Sequence, residues 1–208
     1  MRINMITSLN KLSIVFLSIF LGFVFLNPTD GFAQLDSSTV RNLLEERDEE
    51  IKDLLGPKGT EYTQEQRDTL KDIINGVIDY RTMAQQALQA TYDTLSEEQR
   101  TEFVDLFSTI IRDQSLNKLD IYRADVKYEQ IKVQDSSATV KTLAQLEKVR
   151  TPVSYEMKYD GQSNQWVVTD MIIDDVSTAG SYKRQFQNVI RKKGYDSLLE
   201  TLRKRAAK

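Results

Sequence analysis

The sequence predicts an α+β fold in which a helix-rich N-terminal half packs on an antiparallel sheet of about four strands, with a C-terminal helix. Two changes in the spacing of apolar residues carry this prediction. Apolar residues recur every three or four positions up to about residue 111, every second position between about 126 and 173, and every three or four again after 181. These spacings are typical of amphipathic helices and half-buried strands. Segregated runs of helices and strands indicate an α+β protein.

The first two helices are marked by signals at their ends. The first covers residues 40–55 and ends at a Gly-Pro pair, because proline cannot continue a helix. The second begins after Thr63, whose hydroxyl can accept a hydrogen bond from the amide of Gln66 in a capping box. Its apolar spacing extends to Ile78, so we expect the helix to reach that residue.

Two further helices complete the N-terminal half. One is predicted over residues 80–92, with alanine, methionine and leucine side chains on its apolar face. The other follows a second capping box, which starts at Ser96, and carries inward-facing side chains as far as Ile111.

Four strands follow, with a spacing of two residues between apolar positions. They cover about 126–133, 138–144, 153–159 and 165–173. The first should contain an irregularity, because two residues separate Tyr128 from Ile131. Asp160 and Gly161 form a turn signal before the fourth. Consecutive strands with short connections are expected to pair as an antiparallel meander.

The last helix is predicted to start near Ser181 and to carry apolar side chains as far as Leu202. Gly194 falls inside this segment and should interrupt it, because glycine disfavours a helix interior.

The N-terminus has the features of a signal peptide. Arg2 and Lys11 are followed by an uncharged apolar run of residues 12–26 and by the small residues Gly31 and Ala33. We therefore expect residues 1–33 to be cleaved after Ala33, and residues 34–208 to form a single exported domain. The alternative is an uncleaved anchor, although the run is shorter than the roughly 20 residues of a membrane span.

Composition argues against most catalytic chemistry. The chain has no histidine and no cysteine, the commonest general base and the usual thiolate nucleophile. We expect no catalytic residues, no metal site and no cofactor. A hydrolase that uses two carboxylates stays open as an alternative. The net charge of −3 gives no general attraction to nucleic acid.

Four short motifs occur in a characteristic order. They are R-x-M-A from Arg81, L-S-x-x-Q-R-x-x-F from Leu95, W-x-V-x-D from Trp166 and V-S-x-x-x-x-Y-K-x-Q-F from Val176. In this order the chain resembles the MlaC/Ttg2D family of periplasmic phospholipid-binding proteins, also called the toluene-tolerance family, over about residues 51–204.

The chain departs from the pattern of that family at four positions. The family usually has a Leu-Gly pair where this chain has leucine followed by Gln89, and commonly a tryptophan near Tyr92. It usually has glycine at the position of Asp175, and often a tyrosine close to Ser115. These differences concern the shape of a pocket rather than the ordered motifs.

The resemblance implies a monomeric carrier in the periplasm of a diderm bacterium, with a hydrophobic pocket for the acyl tails of a glycerophospholipid. The lipid would be cargo rather than a cofactor. The implied partners are an inner-membrane complex of an MCE protein with an ABC transporter, and an outer-membrane lipoprotein–porin complex. Such a carrier would shuttle phospholipid between them. The alternative is an exported, non-enzymatic adaptor domain with an ordinary filled core.

The predicted pocket draws apolar side chains from helices and sheet together. The residues are Met83, Leu88, Phe103, Phe107, Ile111, Val140, Val153, Tyr155, Met157, Val168, Met171, Ile173, Val176, Tyr182, Phe186 and Ile190. For each of them ordinary core packing is the alternative interpretation, because periodicity identifies a buried face and not what that face contacts.

Overall fold

The predicted α+β architecture is confirmed in a computed structural model, which describes residues 35–116 and 119–207. The predicted signal peptide and its cleavage site at Ala33 lie outside the described residues. The helices are α1 (Ser37–Leu55), α2 (Gln64–Asn75), α3 (Tyr80–Leu88), α4 (Ala90–Thr94), α5 (Glu97–Leu116), α6 (Thr178–Lys193) and α7 (Tyr195–Ala206), with a 3₁₀ helix at Leu119–Arg123. The strands are β1 (Asp125–Gln134), β2 (Ser137–Leu146), β3 (Val149–Asp160), β4 (Gln165–Ile173) and β5 (Val176–Ser177).

Both predicted capping boxes are present. The Thr63 hydroxyl accepts a hydrogen bond from the Gln66 amide at 3.2 Å, and the Gln66 side chain accepts from the Thr63 amide at 3.0 Å. Ser96 and Gln99 form the same reciprocal pair before α5, at 3.3 and 2.9 Å. Each box satisfies two amides that the helix leaves without partners, which fixes where the helix begins.

Helix α2 ends at Asn75, so the expectation that it reaches Ile78 is wrong. The backbone of residues 77–79 instead runs beside β4. The Val77 carbonyl accepts from the Val168 amide at 2.7 Å, and the Asp79 amide donates to the Val168 carbonyl at 2.8 Å. These long-range hydrogen bonds replace the helical ones, and they attach the α2–α3 connection to the sheet.

The segment predicted as one helix over 80–92 is two helices that meet at Gln89. This residue has φ 52° and ψ −138°, a conformation that no helical residue adopts. Its amide still donates to the Gln85 carbonyl at 2.8 Å, so Gln89 ends α3 before α4 starts in a new direction.

The sheet is an antiparallel meander with the strand order β1-β2-β3-β4-β5. The predicted irregularity in the first strand is confirmed as a bulge between Tyr128 and Gln130. The fifth strand, which the periodicity did not predict, has two residues. A tight turn at Asp174 and Asp175, both with positive φ, joins it to β4.

The C-terminal segment is divided by Gly194, as predicted. Gly194 has φ 82° and separates α6 from α7. Helix α6 begins at Thr178, three residues before the predicted start, because the Ser177 hydroxyl accepts from the Gly180 amide at 2.8 Å and caps the helix there.

Three apolar clusters stabilise the part of the chain that the structure describes. The helical core joins α3 and α5 to α6 and α7 through Met83, Ala84, Ala87, Leu88, Tyr92, Leu95, Phe103, Phe107, Ile110, Ala179, Tyr182, Phe186, Leu198 and Leu202. The helix–sheet core joins α1 to the sheet through Val40, Leu44, Ala138, Val140, Met157, Trp166 and Val168. The α1–α2 core consists of Ile51, Leu55, Leu70 and Ile74. In the described ranges, no helix combines the length and the apolar character needed to cross a membrane.

Candidate functional site

A partly open cavity of about 160 Å³ lies where the three apolar clusters meet. Helices α1 and α2 form one wall, strands β1, β3 and β4 form the opposite wall, and the end of α5 with the 3₁₀ helix closes one side. The lining residues are Leu44, Arg47, Asp48, Ile51, Ile73, Ile74, Asn75, Val77, Ile78, Ile111, Ser115, Tyr122, Val126, Tyr128, Tyr155, Val168 and Met171. Most of these side chains are aliphatic or aromatic, so the cavity suits an apolar ligand.

A single buried amide, that of Asn75, provides a polar corner in this wall. It is 1% exposed and is fully hydrogen bonded. Its amide nitrogen donates to the Lys71 carbonyl at 2.6 Å and to the Ser115 hydroxyl at 3.2 Å, and its oxygen accepts from the Tyr80 hydroxyl at 2.6 Å. These contacts tie α2 to α3 and α5, and they satisfy the amide without a ligand.

Three tyrosines bring hydroxyl groups into the lining. Tyr122 comes from the 3₁₀ helix, Tyr128 from β1 and Tyr155 from β3. Burial raises the pKa of Tyr122 to about 12. Burial and the nearby Asp48 carboxylate raise the pKa of Tyr155 to about 12, and burial also raises that of Tyr128. All three hydroxyls therefore stay protonated at physiological pH.

The charged residues in the lining belong to α1 and have partners on that helix. The Arg47 guanidinium lies 2.5 Å from the Glu50 carboxylate, and the Asp48 carboxylate lies 2.8 Å from the Lys52 ammonium group. The side chains of both pairs are about one third exposed. They are positioned at the edge of the cavity, where water screens them.

The sixteen predicted pocket residues fall into several places. Ile111, Tyr155, Val168 and Met171 line the cavity. Met83, Leu88, Phe103, Phe107, Tyr182 and Phe186 belong to the helical core, and Ile190 packs against it. Val140 and Met157 belong to the helix–sheet core. Val153 lies within β3, whereas Ile173 ends β4 and Val176 begins β5, and these two are exposed. A role in ligand binding stays a prediction for each of them.

The wall formed by α1 and α2 was absent from the predicted set. Its apolar residues follow the same spacing as any buried helical face, so periodicity does not distinguish a cavity wall from helix packing. One signal was present: Asn75 interrupts the apolar series between Ile74 and Val77. A polar residue at a buried position points to a specific structural or binding role.

A second concavity is an open groove of about 480 Å³ on α5, lined mainly by carboxylates. Hydrogen bonds from its own backbone amide and from Ser96 lower the pKa of Glu98, and a hydrogen bond from Arg203 lowers that of Glu102. A carboxylic acid that protonates a leaving group needs a raised pKa instead. Across the described residues, no group of three or more acidic, histidine or cysteine side chains could hold a metal ion.

Comparisons with known proteins agree with this architecture. A sequence model of the MlaC protein family matches residues 46–204. Among solved structures, the fold is similar to that of a phospholipid-binding protein from Ralstonia solanacearum, solved in complex with a phospholipid. The TM-score is 0.67 at 22% sequence identity, and the match covers 82% of this chain and 96% of that chain. No curated protein sequence matches the chain at a significant level.

Proposed function

The chain belongs to the MlaC family, and from this premise we propose that it carries phospholipid through the periplasm with the acyl tails held in the cavity. The lipid would pass between an outer-membrane lipoprotein–porin complex and an inner-membrane complex of an MCE protein with an ABC transporter. This is the shuttling step of an Mla-type transport system.

The observation that carries the proposal is the apolar cavity between α1, α2 and the sheet. Its walls come from helices and strands together, and their apolar side chains suit contact with an acyl tail. The solved protein of similar fold binds phospholipid, which supports the same ligand class here.

The energetics of acyl tails explain why such a carrier would hand its cargo over by direct docking. Burying one methylene group is worth about 0.8 kcal/mol, so a tail with about 15 of them gains on the order of 12 kcal/mol. Release into water would lose that stabilisation and would therefore be slow. Transfer at a docked complex avoids the aqueous intermediate.

The proposal of export is supported by the features of the N-terminus. The positive residues, the apolar run and the small-residue site at Ala33 support cleavage of residues 1–33 and a mature chain that begins at Gln34. N-terminal sequencing of protein recovered from the periplasmic fraction tests this part directly.

Lipid occupancy tests the carrier itself. Protein expressed with its own leader is purified without detergent, extracted with organic solvent and analysed by mass spectrometry. We expect phospholipid at near-stoichiometric amounts, together with transfer of labelled phospholipid from donor to acceptor vesicles. Lipid-free preparations that transfer nothing would favour the adaptor with a filled core.

A matched pair of substitutions on β1 tests the cavity. Val126 lines it, whereas Val133 on the same strand packs against the helix–sheet core. Val126→Trp should fill the cavity and reduce lipid occupancy about tenfold, the effect of an overpacking penalty near 1.4 kcal/mol. Val133→Trp overpacks a site without cavity contact and should keep its lipid. Equal loss in both variants would contradict binding in this cavity.

A further inference from the structure

Three tyrosine hydroxyls around the cavity have no hydrogen-bond partner among the described residues. Elsewhere in the described residues, the buried or half-buried tyrosines other than Tyr92 do have one. The Tyr62 hydroxyl donates to the Leu55 carbonyl at 2.8 Å, and that of Tyr159 to the Asn164 side chain at 2.5 Å. The Tyr80 hydroxyl donates to the Asn75 side chain, that of Tyr182 to the Gln114 side chain and that of Tyr195 to the Gln99 carbonyl. Because a buried tyrosine hydroxyl normally finds a partner, three without one around a single cavity form an unusual cluster.

These hydroxyls face accessible space. In the described part of the chain, the buried side-chain polar atoms that lack a partner are the Tyr92 hydroxyl, sealed in the helical core, and Arg112 Nε. The hydroxyls of Tyr122, Tyr128 and Tyr155 are not among these sealed atoms, and all three residues line the cavity. A ligand in the cavity can reach them.

The chemistry of the cluster selects a neutral acceptor. Phenol hydroxyls that stay protonated donate hydrogen bonds, and the lining offers no unpaired cation beside them. Arg47 is paired with Glu50, and Asp48, the carboxylate near Tyr155, is paired with Lys52. A phosphodiester drawn into this place would lose its hydration without gaining a counterion, whereas an ester carbonyl accepts hydrogen bonds without burying a charge.

We propose that Tyr122, Tyr128 and Tyr155 donate hydrogen bonds to the acyl-ester carbonyl oxygens of a bound glycerolipid, and so select diacyl over dialkyl-ether lipids. This inference rests on the proposed function. The contacts set the depth of the lipid: the tails lie beyond the tyrosines among the aliphatic side chains, and the phosphate remains towards the cavity mouth. An ether-linked lipid of the same length lacks the carbonyl acceptors.

A competition between two lipids tests the inference. The mature protein is incubated with vesicles that contain equal amounts of a 1,2-diacyl phosphatidylglycerol and the 1,2-dialkyl analogue with the same headgroup and carbon number. The bound lipids are then measured by mass spectrometry. Wild type should load the ester lipid with a preference of about tenfold, which is the effect expected from one or two net hydrogen bonds.

Removal of the hydroxyls should abolish this preference. The variant that combines Tyr122→Phe, Tyr128→Phe and Tyr155→Phe should bring the ester-to-ether ratio close to one while still loading the ether lipid. Tyr155→Phe alone should lower the ratio about threefold to fivefold with the least perturbation of the fold. The control is Tyr159→Phe, a tyrosine on the same strand whose hydroxyl is bonded to Asn164, and it should keep the wild-type ratio.

The outcomes separate the two proposals. A wild-type ratio near one, or a tenfold preference that survives the triple substitution, overturns the role of the tyrosines and leaves the carrier intact. Failure of wild type to load either lipid overturns the carrier and this inference with it. Loss of preference in Tyr159→Phe as well would show that the effect follows from the sheet surface in general, and would also contradict the proposal.

Discussion

Asp170 is a buried carboxylate that joins the end of the sheet to the start of α6. One carboxylate oxygen accepts from the Met171 and Ala179 amides, both at 2.9 Å. The other accepts from the Ser177 hydroxyl at 2.5 Å. Ser177 in turn caps α6, so one side chain sets the direction in which the helix leaves the sheet. These contacts give structural roles to the aspartate of the W-x-V-x-D motif and to the serine of the V-S motif that begins at Val176.

Replacement of Asp170 with alanine should therefore destabilise the protein strongly. The change leaves the Met171 amide, the Ala179 amide and the Ser177 hydroxyl without their acceptor, at a residue that is 8% exposed. We expect the free energy of unfolding to fall by about 3 kcal/mol. Chemical denaturation measures it. Asp53→Ala, at an exposed position of α1, serves as the control and should change the free energy by less than about 0.5 kcal/mol. A similar small change for Asp170→Ala would show that water replaces the carboxylate.

Single residues also show where prediction from sequence stops. Phe107 and Ile111 lie one turn apart on the same predicted face of α5, yet Phe107 is fully buried in the helical core and Ile111 lines the cavity. The spacing of apolar residues reports that both point inward. Whether an inward side chain meets another side chain or a cavity depends on the opposing element, here the α1–α2 pair. The local sequence around Phe107 and Ile111 does not determine where that element lies.

At the scale of elements, the break between α3 and α4 is formed by a residue poorly suited to it. Gln89 has φ 52° and ψ −138°, in a region that is essentially restricted to glycine. The family resemblance indicates a Leu-Gly pair at this place, and the observed backbone gives the physical reason. The chain tolerates glutamine because α3 and α4 are both fixed by the helical core.

We expect Gln89→Gly to stabilise the protein. Glycine removes backbone strain of about 1 kcal/mol or more, partly offset by the greater entropy of the unfolded chain. A gain of about 1 kcal/mol corresponds to a rise of about 2–4 °C in Tm for a chain of this size. The measurement is thermal unfolding followed by circular dichroism.

The control is the same chemical change one turn earlier. Gln85 is exposed in the interior of α3, where glycine should lower the free energy of unfolding by about 1 kcal/mol. Opposite signs at the two positions identify backbone conformation as the cause. A lower Tm for both variants would mean that Gln89 is not strained.

Elements defined by local chemistry were predicted, and those defined by distant partners were not. The Thr63 and Ser96 capping boxes lie within four residues of sequence, so the starts of α2 and α5 were available from sequence. The end of α2 depends on Val77 and Asp79 bonding to Val168, about 90 residues away along the chain. The start of α6 depends on Ser177 held by Asp170, which periodicity also cannot report.

At the scale of the whole molecule, the small volume of the cavity raises the question of whether the wall formed by α1 moves when a lipid binds. Ligand pockets for organic molecules usually measure about 300–1,000 Å³, and this cavity measures about 160 Å³. A glycerolipid with two tails therefore requires a wall to move. The wall formed by α1 is held at both ends: Trp166 donates to the Thr39 hydroxyl at 3.1 Å near its start, and Arg123 binds its last turn.

The Arg123 contact is the stronger of the two attachments, and its removal should loosen the wall. The guanidinium donates to the Leu55 carbonyl at 3.1 Å, to the Gly56 carbonyl and to the Tyr62 hydroxyl at 2.7 Å, with the side chain only 16% exposed. Arg123→Ala should lower the free energy of unfolding by about 2 kcal/mol. It should also speed amide hydrogen exchange in the second half of α1 more than in α6, because the lost hydrogen bonds to the Leu55 and Gly56 carbonyls lie at the C-terminal end of α1.

If α1 is the wall that moves, the same variant should load lipid faster. A barrier lowered by about 1.4 kcal/mol raises the rate about tenfold, measured as the uptake of fluorescent phospholipid from vesicles. Arg150→Ala, which removes an exposed arginine bonded to Gln145, should change neither rate. Faster exchange in α1 with unchanged lipid uptake would place the entrance elsewhere, and equal acceleration of exchange in α1 and α6 would reduce Arg123 to a contributor to global stability. Because hydrogen exchange needs no ligand, the mobility of the wall is tested independently of the lipid that it is proposed to admit.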